Sequence, residues 1–307
     1  MIGPGSTVGF VGTGVMGGSM AERLLRAGFR LLVHNRTPGR AQPLLAAGAG
    51  WREDPGAVAA ESDIVLTMLG YPQDVAEVYA GTGGLLESAR PGTYLVDMTT
   101  SKPSLAERIW RDAHGRGLHA LDAPVSGGAS GAREARLSIM VGGEPADFEV
   151  VRPLLERLGP RVVLQGGPGA GQHAKLCNQI ALASAMVGVC EALAYARRTG
   201  LEPARVLQSM EAGAAASWAL SHHGPRMLAG DFEAGFYVKH FLKDMGIALE
   251  SAEEMELDLP GLELARMLYQ QVEEMGLGNA GTQALFALWD DEEDDDPPPE
   301  LVQLGRR

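Results

Sequence analysis

Cysteine is nearly absent from this chain: 307 residues hold two, Cys177 and Cys190. Both fall in one apolar segment that reads as helix, where a rise of about 1.5 Å per residue sets them roughly 20 Å apart, beyond disulfide reach. They are expected to be free thiols. Clustered His, Cys or carboxylate residues at metal-site spacing are missing too, so no metal is expected. Basic charge is scarce, with 26 Lys and Arg against 39 Asp and Glu and a net charge of -13. That balance argues against a nucleic-acid partner, because phosphate backbones are held by clustered Lys and Arg. Part of the acidic excess lies in DDEEDDDPPPE, residues 290 to 300. Like-charge repulsion and consecutive prolines there predict a disordered acidic tail over 290–307, with an interaction tail as the alternative. No apolar run approaches the length of a membrane span and no basic n-region precedes an apolar core, so a cytoplasmic protein without a membrane partner is expected.

What is present divides in two. From Thr7 to about Gly166, short apolar runs (TVGFVG, RLLVHN, DIVLTML, TYLVDM, LHALDAPV, LSIMVGG, RVVLQG) alternate with helical patterns around 17–27, 40–47, 104–114 and 145–158. Runs apolar on both faces, alternating with helices, predict βαβ units and a mostly parallel sheet. After Gly171 the strands stop. HAKLCNQIALASAMVGVCEALAYARR is apolar nearly all round, which predicts a helix buried in a core or against another subunit. Further helical patterns follow near 203–212, 241–254, 262–274 and 282–288. The fold class is therefore α/β: a Rossmann-type, doubly wound domain over 1–166, then an all-α domain over 167–289 built around a long buried helix.

The cofactor signal lies in the first turn. Gly12, Gly14 and Gly17 fit GxGxxG between the run Val8–Val11 and a helical pattern, and so predict a dinucleotide at Gly12, Thr13, Gly14, Val15 and Met16. The glycines permit a tight turn and close approach to a pyrophosphate, which the helix N-terminus then attracts. Three glycines among 41 would be weak evidence outside that context. The second strand lacks the acid that would accept a ribose 2′-hydroxyl and repel a 2′-phosphate; it ends in Asn35, Arg36 and Thr37. A planar fork of donors and a hydroxyl suit a phosphate, which predicts NADP over NAD. A solvated surface arginine is the plain alternative for Arg36.

Two further stretches bear on a substrate. Ser126, Gly127 and Gly128 follow a strand's carboxyl end, and freed N–H groups beside a hydroxyl suit a small carboxylate, although an ordinary loop explains SGG as well. Lys175 and Asn178 are one helical turn apart in the long apolar segment. Desolvation there would bring an ammonium towards proton-transfer duty, with a snorkelling lysine as the alternative.

Taken together, GFVGTGVMGGSMAERLLRAG, DMTTSKPSLAERI, DAPVSGGASGAREARLSIMVGG, GPGAGQHAKLCNQ and VKHFLKDMGIALE resemble the β-hydroxyacid dehydrogenase family from Val8 to about Leu288. That family includes 3-hydroxyisobutyrate dehydrogenases, tartronate semialdehyde reductases and glyoxylate/succinic semialdehyde reductases. The resemblance implies that Lys175 is the acid/base, that Ser126, Gly127 and Gly128 hold a substrate carboxylate, and that Asn178 orients substrate and lysine. It further implies that Thr100 lies near nicotinamide and substrate, that Met68, Leu69 and Lys243 line the cofactor, and that Phe236 and Asp244 close or order the site. NRT at 35–37 is more similar to the NADPH-dependent semialdehyde reductases, so reduction of a small aldehyde acid is expected, with 3-hydroxyisobutyrate dehydrogenase as the alternative. An inactive NADP-binding scaffold is the reading from another class, and a homodimer or homotetramer is expected.

Overall fold

Thr7–Val11 (β1) is buried along its whole length, as a run apolar on both faces requires. It pairs in parallel with Arg30–His34 (β2) on one side and Ile64–Thr67 (β4) on the other. Gly50–Trp51 (β3) extends the sheet beyond β2, while Tyr94–Asp97 (β5) and His119–Asp122 (β6) extend it beyond β4, all in parallel. The order β3-β2-β1-β4-β5-β6 is that of a doubly wound dinucleotide-binding sheet, whose crevice opens where β1 and β4 lead their crossovers to opposite faces. Past β6 the parallel expectation gives way to a mixed edge. Ser138–Gly142 (β8) runs antiparallel to β6 and to Val125–Ser126 (β7), and parallel to Arg161–Gly166 (β9).

The computed structural model describes residues 2–289; the acidic stretch from 290 onward lies outside the described residues. Two compact units meet in sequence between Lys175 and Leu176. In the first, one face of the sheet packs Val8, Phe10, Leu31, Val33 and Leu66 against Met20 and Leu24 of Val15–Arg26 (α1) and Phe148 and Val151 of Pro145–Leu155 (α8). The other face packs Val11, Val65 and Leu95 against Pro55–Glu61 (α3), Pro72–Ala80 (α4), Leu85–Ser88 (α5) and Pro103–His114 (α6). Proline opens α3, α4, α6 and α8, where its missing N–H costs no helical bond. Gln42–Ala46 (α2), which follows a 3-10 turn over Pro38–Ala41, and Gly128–Glu134 (α7) are further helices of this unit.

The second unit is helical: Pro203–Glu211 (α10), Trp218–Leu228 (α11), Val238–Glu254 (α12) and Pro260–Val272 (α13) follow Ala170–Arg198 (α9). The helical stretch expected near 282–288 is a 3-10 helix over Thr282–Trp289. Met186, Val187, Cys190 and Leu193 of α9 pack with Phe241, Met245 and Tyr269 in one core. One expectation about α9 is corrected. By length and a mean hydropathy of 1.5 over its most apolar window it could cross a membrane, although packing into a helical core demands the same composition. Within the single chain, Cys177, Ala181, Ser184 and Gly188 follow one another at intervals of three or four along an exposed stripe of the helix.

The carboxyl ends of β4 and β5 hold a buried polar network. The Thr67 hydroxyl donates to Asp97 Oδ1 at 2.8 Å, the Thr99 N–H donates to the same oxygen at 3.1 Å, and the Leu69 N–H donates to Thr99 Oγ1 at 2.9 Å. Burial pushes the Asp97 carboxyl up to about 6, opposed by its bonds from Thr99 and Thr67. A raised acid in the folded chain contributes stability that is fully present below its ordinary value of 3.8 and is lost as pH rises through about 6. Asp97→Asn keeps an acceptor oxygen and removes the titration. Its stability relative to the parent should therefore rise between about pH 4 and pH 7 by on the order of 2 kcal/mol. Urea unfolding of both proteins across that range measures the difference, and a flat difference would rule out the titration.

Candidate active site

The glycine turn between β1 and α1 is built for close approach. Gly12 has φ +96°, its N–H donates to the His34 carbonyl at 3.0 Å, and a Cβ there would meet the Met68 carbonyl oxygen at 2.3 Å. A Cβ on Gly17 would meet the Gly12 carbonyl oxygen at 1.9 Å, so helix and turn touch where only hydrogen fits. Gly14, by contrast, has open space, with Arg40 Nη1 as its only close neighbour at 3.7 Å from a built Cβ. Thr13 is buried and its Oγ1 has no protein partner. An orphaned hydroxyl at a helix start, beside a glycine open to solvent, fits the phosphates of a dinucleotide. Val15 is exposed and Met16 half-buried on the first turn of α1, while Met68 and Leu69 cover Gly12.

Asn35 turns out to brace the turn as well as replace an acid. Its Oδ1 accepts the Thr13 N–H at 2.8 Å and its Nδ2 donates to the Thr37 carbonyl at 2.8 Å. Arg36 projects outward with its side chain 87% exposed, and its Nη1 lies 3.0 Å from Asp74 Oδ1 on α4. Thr37 is exposed beside it. Arg40 and Asp74 were invisible as partners in the sequence: one is an unremarked arginine at the end of the NRTPGR stretch, the other lies 38 residues beyond Arg36.

Thr100, Ser126, Gly127, Gly128 and Lys175 all belong to the first unit. Ser126 ends β7, and Gly127 and Gly128 follow with φ +134° and +63°, backbone conformations that only glycine adopts readily. Asp122, at the end of β6, is buried and reaches the start of α9. Its Oδ1 accepts the Gly169 N–H and its Oδ2 the Gln172 N–H, each at 2.8 Å. Burial nonetheless pushes this carboxyl up, with the N–H groups of Gly169 and Gln172 opposing. Gln172 in turn holds the residues flanking Thr100: Oε1 accepts the Ser101 N–H at 2.9 Å, and Nε2 donates to the Thr99 carbonyl at 2.8 Å. Lys175, one turn further along α9, is 6% exposed, so the charge predicted inside an apolar segment is indeed buried.

In the second unit Asn178, Lys243 and Asp244 meet through a residue the sequence reading passed over. Asn178 Nδ2 donates to Gln179 Oε1 at 2.8 Å, and Gln179 Nε2 donates to Asp244 Oδ2 at 2.6 Å. Lys243 Nζ lies 3.0 Å from Asp244 Oδ1, a charge contact outside hydrogen-bond geometry, since that oxygen has no hydrogen-bond donor. Phe236 is half-buried against Phe241, ring centroids 5.6 Å apart.

Comparison with known proteins places both halves. Residues 7–167 match the family described as the NAD binding domain of 6-phosphogluconate dehydrogenase, and residues 169–289 match that described as NAD-binding of NADP-dependent 3-hydroxyisobutyrate dehydrogenase. A probable 3-hydroxyisobutyrate dehydrogenase-like protein of Arabidopsis thaliana is 46% identical over 93% of this chain and 86% of its own length. The 2-hydroxy-3-oxopropionate reductase of Escherichia coli is 42% identical over 85% of this chain and 89% of its own. The solved 3-hydroxyisobutyrate dehydrogenase of Mycobacterium tuberculosis with L-serine superposes with a TM-score of 0.86 at 29% identity, covering 93% of this chain and 99% of that one. With a nicotinamide-binding sheet and turn, and relatives that match along nearly their whole length, this chain belongs to the β-hydroxyacid dehydrogenases and is an NAD(P)-dependent oxidoreductase.

Proposed function

We propose that the chain is an NADPH-dependent reductase of small aldehyde acids, succinic semialdehyde and glyoxylate among them, reversible toward the hydroxy acid. The observation that carries this reading is the burial of Lys175 on α9, one turn beyond a glutamine that grips both sides of Thr100. NADPH, when bound, supplies the hydride that reduces the carbonyl carbon. Charge then develops on the carbonyl oxygen, and a protonated Lys175 stabilises it and delivers the proton; in oxidation the neutral amine takes the proton from the hydroxyl. Ser126 and the N–H groups at Gly127 and Gly128 hold the substrate carboxylate. Asn178, tied through Gln179 to Asp244, and Phe236 are the second unit's candidates for binding substrate.

For the cofactor, Gly12, Thr13, Gly14, Val15 and Met16 receive the phosphates, Met68 and Leu69 line it, Thr100 lies near the nicotinamide, and Arg36, with Thr37 and Arg40, takes the 2′-phosphate; Lys243 is the second unit's candidate for cofactor contact. The Asp74 carboxylate on Arg36 is the term that opposes this preference, and Asn35 supports it by carrying no charge. A second reading, 3-hydroxyisobutyrate dehydrogenase, is favoured by the description of the family that the helical half matches. A panel of C2 to C5 aldehyde acids and hydroxy acids run with both cofactors separates the two.

Self-association belongs to the proposal. The exposed stripe Cys177, Ala181, Ser184 and Gly188 lets another helix approach α9 closely, which suits a dimer or tetramer built on that helix.

Three outcomes are expected. Lys175→Ala should lower kcat by about 10²- to 10⁴-fold while NADPH still binds, read by fluorescence titration; a near-parental kcat would sink the acid/base assignment. Arg36→Ala should weaken NADPH by roughly tenfold or more, the scale of a lost charge-assisted contact, and leave NADH little changed. Equal losses for both cofactors would remove Arg36 from the phosphate. Gly188→Arg should shift the particle to a smaller mass in light scattering, and an unchanged mass would place self-association elsewhere.

A further inference from the structure

Gln172 is fully buried in the first turn of α9, and each of its polar groups is engaged. The main-chain N–H donates to Asp122 Oδ2 at 2.8 Å, the side-chain oxygen accepts from Ser101 N at 2.9 Å, and the side-chain NH₂ donates to the Thr99 carbonyl at 2.8 Å. The two side-chain bonds fall on either side of Thr100, so the amide reads that backbone as a neighbouring strand would. Thr99 is itself tied inward, its N–H to Asp97 and its hydroxyl to the Leu69 N–H. One side chain therefore connects the helix that carries Lys175, three residues on and on the same face, to the loop holding Thr100. Through Thr99 the connection continues to Leu69 above the glycine turn.

The chemistry of the side chain matters as much as its place. Only a group that accepts at one end and donates at the other satisfies both Ser101 and Thr99, and an unpaired buried polar group is costly. With its oxygen and its NH₂ each bonded to the Thr99–Ser101 backbone, Gln172 is committed to the protein. We propose that Gln172 is the positioning residue that sets Lys175 in register with the Thr99–Ser101 loop. It acts through the lysine and the loop and touches no reacting atom. The inference rests on Lys175 being the acid/base, and its test is chosen to fail separately.

Two variants divide the possibilities. Gln172→Met keeps the length and loses both bonds. Gln172→Glu restores both when its carboxyl is protonated, the carbonyl accepting from Ser101 and the O–H donating to Thr99, and breaks the second when ionised. The neighbouring carboxylates are Asp122, on the Gln172 N–H, and Asp97, on the Thr99 N–H; with Lys175 nearby they set where the new acid titrates. Gln172→Met should lose roughly ten- to a hundredfold in kcat, the scale of a small misplacement of a catalytic group. Its NADPH dissociation constant should stay within about twofold, and amide exchange at Ser101 should quicken. Gln172→Glu should approach the parental rate in acid and fall toward the Met variant as pH rises, a profile that a packing role would not give. Adding Gln172→Met to Lys175→Ala should slow the reaction no further. Should Gln172→Met fold poorly, Gln172→Glu in acid, with both bonds in place, decides the matter. Parental kcat in Gln172→Met, a pH-independent Gln172→Glu, or a multiplicative loss in the double variant overturns the proposal. A full rate in Lys175→Ala overturns the acid/base reading instead.

Discussion

A single carboxylate ties the central sheet of the first unit to the start of α9. Asp122 ends β6, and its two oxygens receive the Gly169 and Gln172 N–H groups that the start of α9 leaves without helical partners. The approach is so close that a Cβ on Gly142 would lie 2.5 Å from Asp122 Oδ1, and one on Gly171 would lie 2.7 Å from Asp122 Oδ2. A long helix is rigid over its first turns once its N-terminus is seated. The seat thus fixes the direction in which Gln172 and Lys175 project. The cost is a buried acid, and the aligned N–H groups of the helix offset it.

From that seat the polar contacts continue without a break across the ends of three strands. Gln172 grips Thr99 and Ser101, Asp97 grips Thr99 and Thr67, and Thr99 grips Leu69. Each is a buried group with a specific partner, and in a low-dielectric interior such a chain holds its members more firmly than isolated pairs in water would be held. The Gly12 turn is joined to the same frame by contact, because Met68 and Leu69 leave no room for a Cβ on Gly12. The glycine turn, the Thr99–Ser101 loop and the first turns of α9 that carry Lys175 are in this sense parts of one connected edge. The second unit repeats the device on a smaller scale, with Gln179 joining Asn178 to Asp244.

How much of this could be read from the chain follows from the range of the forces involved. Local signals were legible: the strand–glycine–helix turn, the alternation behind the doubly wound sheet, the loop after Ser126, and a lysine in an apolar helix. The partners of Asp122 and Asp97 were not, since a carboxylate at the end of an apolar strand says that it needs donors but not which ones; for Asp122 they stand 47 and 50 residues away. The sheet order chooses them. Short helices such as α3, α4 and α11 were passed over because seven to eleven residues around proline and small side chains hold too little periodicity to declare themselves. For α9 the composition left a core contact and a subunit contact both open, because its exposed stripe is small and apolar and composition alone cannot tell the two apart.

The choice of cation carries its own argument. Of 26 basic residues only four are lysines, Lys102, Lys175, Lys239 and Lys243, and the other 22 are arginines. A chain that meets nearly every need for positive charge with arginine has kept lysine at very few places. Guanidinium suits the fixed, forked contacts seen from Arg52 to Glu61 and from Arg226 to Asp231. It cannot give up its proton near neutrality. At a buried position that would both hold and release one under the proposed mechanism, lysine is the cation that can serve, and Lys175 is 6% exposed in the unit that holds the glycine turn. Lys243, in the other unit, lies 3.0 Å from Asp244 Oδ1. The scarcity of lysine thus points to the residue that the proposed mechanism uses, by an argument that does not depend on any distance.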